Sequence, residues 1–105
     1  MQIKHKSYNF NVTAYRTILG HLKGLIFKII RNDGAILIFS EEKEISVHTF
    51  FVFYSLDLIF LNKEKSIIKI VNNVKPFSIL NKIRAKYVLE LKNKNNLKLN
   101  EILDF

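Results

Sequence analysis

The sequence predicts a mainly β domain with one early helix, in which short antiparallel strands form a sandwich or a partly closed barrel. Three observations predict this fold class. Apolar and polar residues alternate in several short segments, turn residues separate those segments at close intervals, and helical spacing is clear in one early stretch. With 105 residues, of which 49% are hydrophobic, the chain is expected to form one domain over residues 1–105.

The N-terminal part is predicted to hold two strands and the helix. Residues 2–6 and 8–13 have the composition of strands, and the second alternates with period two. Apolar residues at helical spacing over 18–26 predict the helix, with Thr17 as its N-cap and Gly24 near its end.

A turn and a charged segment follow. Residues 31–34 contain Asp-Gly and predict a turn, and residues 35–39 predict a short apolar strand. Residues 41–44, Glu-Glu-Lys-Glu, are expected to form a charged loop. Its carboxylates are compatible with a cation site, but solvated charge is the favoured interpretation, because consecutive carboxylates seldom converge on one point.

The most apolar stretch covers residues 48–61 and must be buried. It is too long for one ordinary strand, so we predict strands at roughly 46–52 and 56–62. A hairpin turn at 62–65 leads to a strand at 66–71, with Ile68 and Ile70 on one face.

The C-terminal part is predicted to be mostly strand. Residues 77–84 fit either a loop or a short second helix, whereas 85–91 alternate clearly and predict a strand. Residues 92–96 fit a turn or a short helix, and 97–105 form an apolar, strand-like end.

Composition narrows the function classes. The chain has no Cys, which excludes disulfides and thiolate sites, and its three His occur in separate predicted elements, so no metal site or cofactor is predicted. Its longest nearly uncharged run is shorter than the roughly 20 residues that span a bilayer, and we expect a cytoplasmic protein with no membrane contact. The net charge of +8 would attract polyanions, but a solvated basic surface is the favoured explanation.

Several blocks resemble one known family. Residues 48–61 read His-Thr-Phe-Phe-Val-Phe-Tyr-Ser-Leu-Asp-Leu-Ile-Phe-Leu, close to a motif His-Thr-Phe-Phe-Met-Arg-Phe-Pro-Ile-Asp-Val-Ile-Phe-Leu. Residues 17–28, 34–39, 74–76 and 85–91 resemble further blocks in the same order. The family is domain-of-unknown-function family 192 (DUF192), and the resemblance is closest to its archaeal members.

The resemblance implies a compact, mainly β fold with short helices and no established activity. Three departures lie in the central motif, where Val52 replaces a usual Met, Phe53 a usual Arg and Ser55 a usual Pro. A family function that depends on that arginine would be altered in this chain.

Candidate site residues come from the same apolar stretch and from residue 90. His48, Asp57 and Glu90 are polar residues within very apolar strands, and such groups mark sites only in some proteins. The favoured interpretation of Asp57 is structural, in which its carboxylate accepts hydrogen bonds from backbone N–H groups at a bulge or tight corner. The full candidate site comprises His48, Thr49, Phe51, Phe53, Tyr54, Asp57 and Glu90.

These residues support three hypotheses. The first is a binding or interaction domain, not an enzyme, with a pocket around His48 and Asp57 for an unknown small molecule or protein partner. The second is a small-molecule enzyme that uses His48 with Asp57 or Glu90 as acid and base. The third is a nucleic-acid-binding module, more weakly supported, whose candidate residues are Tyr15, Arg16, Lys86 and Tyr87.

Overall fold

The computed structural model describes residues 1–6, 8–16, 33–48, 55–75, 78–92 and 95–105. The described residues form the strands β1 (Gln2–His5), β2 (Tyr8–Tyr15), β3 (Gly34–His48), β4 (Leu56–Leu61), β5 (Ile67–Val74) and β6 (Ile79–Leu91). The predicted mainly β fold is therefore confirmed. Among these residues, no helix is long and apolar enough to cross a membrane.

The strands form one open sheet in the order β1-β2-β3-β6-β4-β5. Neighbouring strands are antiparallel except β2 and β3, which are parallel. The sheet that the described residues form is thus neither a sandwich of two sheets nor a closed barrel. Both of its faces carry buried hydrophobic residues.

The two faces of the sheet carry separate hydrophobic cores. Alternation along β4 divides its residues, since Leu58 and Phe60 belong to the first core and Ile59 and Leu61 to the second. The rest of the first core consists of Leu37, Ile45, Leu56, Val74, Ile83, Ala85 and Val88. The rest of the second consists of Ile3, Val12, Ile36, Ile67, Tyr87, Leu89, Leu91, Leu97 and Leu103.

A large bulge interrupts the pairing of β3 with β6. Ile38 pairs with Tyr87 and Lys43 pairs with Ala85, so residues 39–42 of β3 lie opposite Lys86 alone. Such a bulge bends a strand, and beyond it Ile45 and Ile83 pack into the same core as Leu56 and Leu58.

The prediction of a charged loop at 41–44 is wrong, because these residues lie within β3. Glu42 contacts residues from two other parts of the chain. Its Oε1 accepts a hydrogen bond from the backbone N–H of Lys63 at 3.2 Å, and its Oε2 lies 3.7 Å from Nε of Arg84. The charged segment is therefore part of a strand, and the contacts of Glu42 lie beside the bulge.

The hairpin turn at 62–65 is confirmed. Oδ1 of Asn62 accepts hydrogen bonds from the backbone N–H groups of Glu64 and Ser66, both at 3.0 Å. The predicted face of the next strand is wrong, because Ile67 is fully buried whereas Ile68 is 41% exposed. A register shift between Phe60 and Leu61 moves the alternation by one residue.

The sequence predicts one early helix and offers a second as an alternative, and the structure tests only the second. The early helix at 18–26 lies outside the described residues. A second helix over 77–84 is wrong from Ile79 onward, because β6 begins there and pairs with the end of β3. The pairing along two long strands outweighs the weak local preference of that segment.

The end of the chain adds short bridges to the sheet. Lys4 bridges Asp104 and Ser66 bridges Ile102, although residues 97–105 form no named strand. Within this segment Leu97 and Leu103 are buried in the second core. The prediction of a strand-like end is therefore confirmed only for two isolated bridges, and Leu99 and Ile102 are exposed.

Candidate functional site

An open cleft of about 620 Å³ lies beside Asp57, and we call it the Asp57 cleft. Every described residue that lines it is polar. The lining consists of Ser55, Asp57, Asn72, Asn73, Lys92, Asn95 and Asn96. The volume lies within the range of small-molecule pockets, although such pockets usually have mainly apolar walls.

Two neutral donors hold the carboxylate of Asp57. Its Oδ1 accepts a hydrogen bond from the backbone N–H of Asn73 at 2.8 Å, and its Oδ2 accepts one from Nδ2 of Asn95 at 3.0 Å. Each oxygen of a carboxylate has two acceptor positions. Asp57 is therefore fixed in place while each of its oxygens keeps further capacity to accept a hydrogen bond.

The position of Asn73 follows from an irregularity in the sheet. Leu56 pairs with Val74 and Leu58 with Val71, so the β4–β5 register shifts beside Asp57. Asn73 has a φ of 54°, a left-handed conformation that Asn adopts more readily than most residues. The bulge directs its N–H to Asp57, as the structural interpretation of that residue expected.

Asn95 connects the cleft to the C-terminal segment. Its Nδ2 donates to Asp57, and its Oδ1 accepts a hydrogen bond from the backbone N–H of Leu97 at 3.1 Å. Leu97 is 7% exposed and packs in the second core. These contacts fix the orientation of the Asn95 amide at the wall of the cleft.

Glu90 lies elsewhere, within the sheet. It is 2% exposed and is paired with Ala35 on one side and Leu58 on the other. Residues directly opposite in an antiparallel pair share a face, so Glu90 is on the face of Leu58. Asp57, which is paired with Leu91, is on the other face. The sheet therefore separates the two predicted carboxylates.

His48 is placed by its backbone alone. It ends β3 opposite Ile79 at the beginning of β6, whereas Asp57 pairs with Leu91 at the end of β6. The other predicted site residues, Thr49, Phe51, Phe53 and Tyr54, lie outside the described residues. A contact between His48 and Asp57 stays a prediction.

Sequence reasoning missed the amides of the cleft. The pair 95–96 lies in a segment predicted to be a turn or a short helix, and the pair 72–73 is far from it in the chain. The two Asn-Asn pairs lie on either side of β6 in the sequence, and the pairing of β4 with β5 and β6 brings them to one place. In the part of the chain that the structure describes, no cluster of three potential metal ligands is found.

A third carboxylate is paired with basic side chains. Oε2 of Glu101 lies 2.9 Å from Nε2 of the buried His5 and 2.9 Å from Nζ of Lys6. The His5 contact is an ion-pair distance, but its geometry falls short of a hydrogen bond. Contacts with the His5 ring first, and then with the Lys6 ammonium group, lower the pKa of Glu101 to about 2. This cluster fastens β1 to the C-terminal segment.

Comparison with known proteins gives a family and two similar folds. The model of the family DUF192, described as uncharacterized ACR, matches residues 1–100. A protein of unknown function from Novosphingobium aromaticivorans DSM 12444 has 20% identity and a TM-score of 0.77, and the match covers 99% of this chain and 82% of that one. A proposed transcription regulator from Sinorhizobium meliloti 1021 has 21% identity and a TM-score of 0.71, with 87% and 77% covered. No curated protein matches the chain.

Proposed function

This chain belongs to the DUF192 family, and we propose that it is a small binding domain whose ligand occupies the Asp57 cleft. The observation that carries the proposal is a carboxylate fixed by two neutral donors in the wall of an open polar cleft. An arrangement held in advance loses little conformational freedom when a ligand binds.

The lining indicates the chemistry of the ligand. A carboxylate accepts hydrogen bonds and donates none, whereas an Asn amide does both. A ligand of Asp57 therefore carries hydroxyl or amine donors, and the surrounding amides suit a molecule with several polar groups. We propose a small polar ligand such as a polyol, a sugar or a primary amine.

The proposal is tested by titrating ¹⁵N-labelled protein with a panel of monosaccharides, polyols and primary amines. We expect at least one compound to shift the amide signals of Asn73 and Asn95. Asp57→Asn should weaken its binding about tenfold, because a hydrogen bond to a charged group contributes about 1.5–3 kcal/mol. The variant keeps the size of the side chain and one oxygen for the Asn73 N–H.

Asp104→Asn is the matched control, since Asp104 is exposed and lies outside the cleft lining. Its affinity should equal that of the wild type. Equal affinity of Asp57→Asn and the wild type, or a panel in which no compound affects the cleft signals, would refute the proposal.

The enzyme alternative receives no support from the described contacts. It requires His48 to act with Asp57 or Glu90, and a general base must come within hydrogen-bond reach of its partner. Asp57 and Glu90 occupy opposite faces of the sheet, so the two forms of this alternative would place the site on different faces.

The nucleic-acid alternative has one observation in its favour and one against it. Arg16, Lys86 and Tyr87 line a common cleft, and the similar Sinorhizobium protein is described as a proposed transcription regulator. At 21% identity that likeness concerns the fold alone. Tyr87 is 8% exposed and packs edge-to-face on Phe105, with centroids 5.0 Å apart, so its ring is not free to stack on a base.

The single-domain organisation over residues 1–105 and the cytoplasmic location remain parts of this proposal. A polar ligand cleft on a compact sheet is compatible with both.

A further inference from the structure

A second cleft, of about 330 Å³, contains three basic side chains, and we call it the basic cleft. They are Arg16, Lys65 and Lys86, and none of the described lining residues is shared with the Asp57 cleft. Acidic side chains are missing from the described lining. The basic cleft is therefore a separate feature that the proposed function does not use.

Strand pairing brings the three cations together from distant parts of the sequence. Arg16 follows the end of β2, Lys86 lies on β6 opposite the four-residue bulge of β3, and Lys65 lies in the turn between β4 and β5. Tyr87 pairs with Ile38 of β3 and with Leu61 of β4, so the cleft crosses neighbouring strands.

The three cations differ in their partners. Lys65 donates a hydrogen bond to the main-chain oxygen of Phe105, and its Nζ lies 4.3 Å from the centre of that ring. Nζ of Lys86 lies 5.6 Å from the ring centre of Tyr87. Within the described part of the chain, neither Arg16 nor Lys86 forms an ion pair with a carboxylate.

Gathering basic side chains without an acidic side chain among the described lining residues raises the electrostatic energy of the folded chain, and a bound anion would offset that cost. The nearest acids in sequence, Glu41 and Glu42, follow the lining residue Ser40 but do not line the cleft. Glu42 is already in contact with Lys63 and Arg84.

We infer that the basic cleft binds the phosphoryl group of a small phosphorylated molecule, with Arg16 and Lys86 as its charged ligands. The planar guanidinium group of Arg pairs with two phosphate oxygens, and Lys acts as a point charge. The hydroxyl group of Ser40 adds a neutral donor from the β3 bulge. Three donors from three positions suit a tetrahedral group with several oxygens.

The size and walls of the cleft favour a small ligand. Its volume is at the lower end of the range for small-molecule pockets, and the aromatic residues Phe39, Tyr87 and Phe105 give it apolar wall area. A nucleic acid carries the same phosphoryl chemistry, but the packed ring of Tyr87 leaves it little surface for base stacking.

The test is a titration of ¹⁵N-labelled protein with inorganic phosphate, glucose 6-phosphate and an eight-residue oligothymidylate. We expect phosphate and glucose 6-phosphate to shift the amide signals of Arg16, Ser40 and Lys86. Arg16→Gln and Lys86→Gln should each weaken glucose 6-phosphate binding about tenfold, because each removes a charge-assisted hydrogen bond.

Lys69→Gln is the matched control, since Lys69 is exposed on β5 and the variant removes the same charge. It should change affinity less than about twofold, because salt screens a distant surface charge. Asp57→Asn should leave phosphate binding unchanged, so failure of this inference and failure of the proposed function are distinguishable.

Three results would overturn the inference. Equal losses in Lys69→Gln and Arg16→Gln would mean unspecific attraction by net charge. Changes in amide signals only at residues outside the basic cleft would show that phosphate does not bind there. Oligothymidylate binding much tighter than glucose 6-phosphate would assign the surface to nucleic acid instead.

Discussion

Asp57 and Glu90 are neighbouring carboxylates in one pair of strands, yet the sheet gives them opposite surroundings. Asp57 is opposite Leu91 and Glu90 is opposite Leu58, one step further along the ladder. Glu90 is 2% exposed, whereas Asp57 is half-buried and borders an open cleft. Adjacent positions of the ladder face opposite sides of the sheet, so one carboxylate is enclosed while the other borders a cleft that a ligand can enter.

The neighbouring strands explain the difference. Glu90 lies on β6, which has β3 on one side and β4 on the other, so both of its flanks are closed. Asp57 lies on β4 beside the irregular end of the edge strand β5, where the left-handed Asn73 turns its N–H toward the carboxylate. Bulges often redirect groups in this way next to binding sites.

Of the substitutions that we propose, one beside the enclosed Glu90 should lower the stability most. A Cβ on Gly34 would lie 1.8 Å from the carbonyl oxygen of Glu90 and 3.2 Å from Cα of Leu91. Since backbone atoms cannot yield as a side chain does, Gly34→Ala would force β3 and β6 apart. We expect the free energy of unfolding to fall by about 4 kcal/mol, measured by urea denaturation.

Ser46→Ala is the control for that measurement, because Ser46 is an exposed residue of the same strand. Its stability should change by no more than about 0.5 kcal/mol. If Gly34→Ala were as stable as Ser46→Ala, our description of β3 and β6 as too close at Gly34 for a side chain would be wrong.

Truncating each carboxylate sharpens the comparison directly. Glu90→Ala removes an enclosed side chain between Ala35 and Leu58 and should cost about 3 kcal/mol, because a cavity remains. Asp57→Ala removes two hydrogen bonds at a half-open position and should cost about 1–2 kcal/mol. Thermal unfolding of both variants shows which substitution costs more stability. A larger loss of stability for Asp57→Ala would contradict our description of Glu90 as the enclosed carboxylate and Asp57 as the accessible one.

Much of this comparison could be predicted from the sequence. The alternation of residues 85–91 and the apolar composition of 56–62 indicated two strands, and Asp57 and Glu90 stood out as carboxylates within them. The neighbours of those carboxylates could not be predicted, because they depend on register. Period-two reasoning assumes regular ladders, and a bulge reverses the faces beyond it.

Ile68 and the segment 41–44 show the same limit in other strands. The sequence predicts Ile68 and Ile70 on one face, but the shift beside Leu61 exposes Ile68 and places Ile67 in the core against which Ile70 packs. The segment 41–44 has the composition of a loop, but the long pairing of β3 with β6 includes it in a strand. Local composition indicates which secondary structure a segment prefers, whereas pairing with distant strands determines which one it adopts.

Glu101 extends the comparison to a carboxylate that contacts cations, and it should give the smallest effect. Its pKa is lowered to about 2 by His5 and Lys6, from an ordinary value of 4.5. A lowered pKa means that the folded state favours the ionised form, so this stabilisation is present above about pH 4.5 and is lost as the pH falls toward 2. The difference in unfolding free energy between the wild type and Glu101→Gln should therefore shrink over that interval.

Urea denaturation at several pH values between 2 and 6 measures that difference. Glu64→Gln is the matched control, because Glu64 is exposed in the β4–β5 turn and its side chain forms no ion pair among the described residues. Its difference from the wild type should stay nearly constant with pH. If Glu101→Gln also ran parallel to the wild type, His5 and Lys6 would not stabilise the ionised Glu101, and the described contact left to its carboxylate would be the hydrogen bond from the N–H of Lys98. Glu101 would then resemble Asp57, whose carboxylate accepts hydrogen bonds from two neutral donors among the described residues.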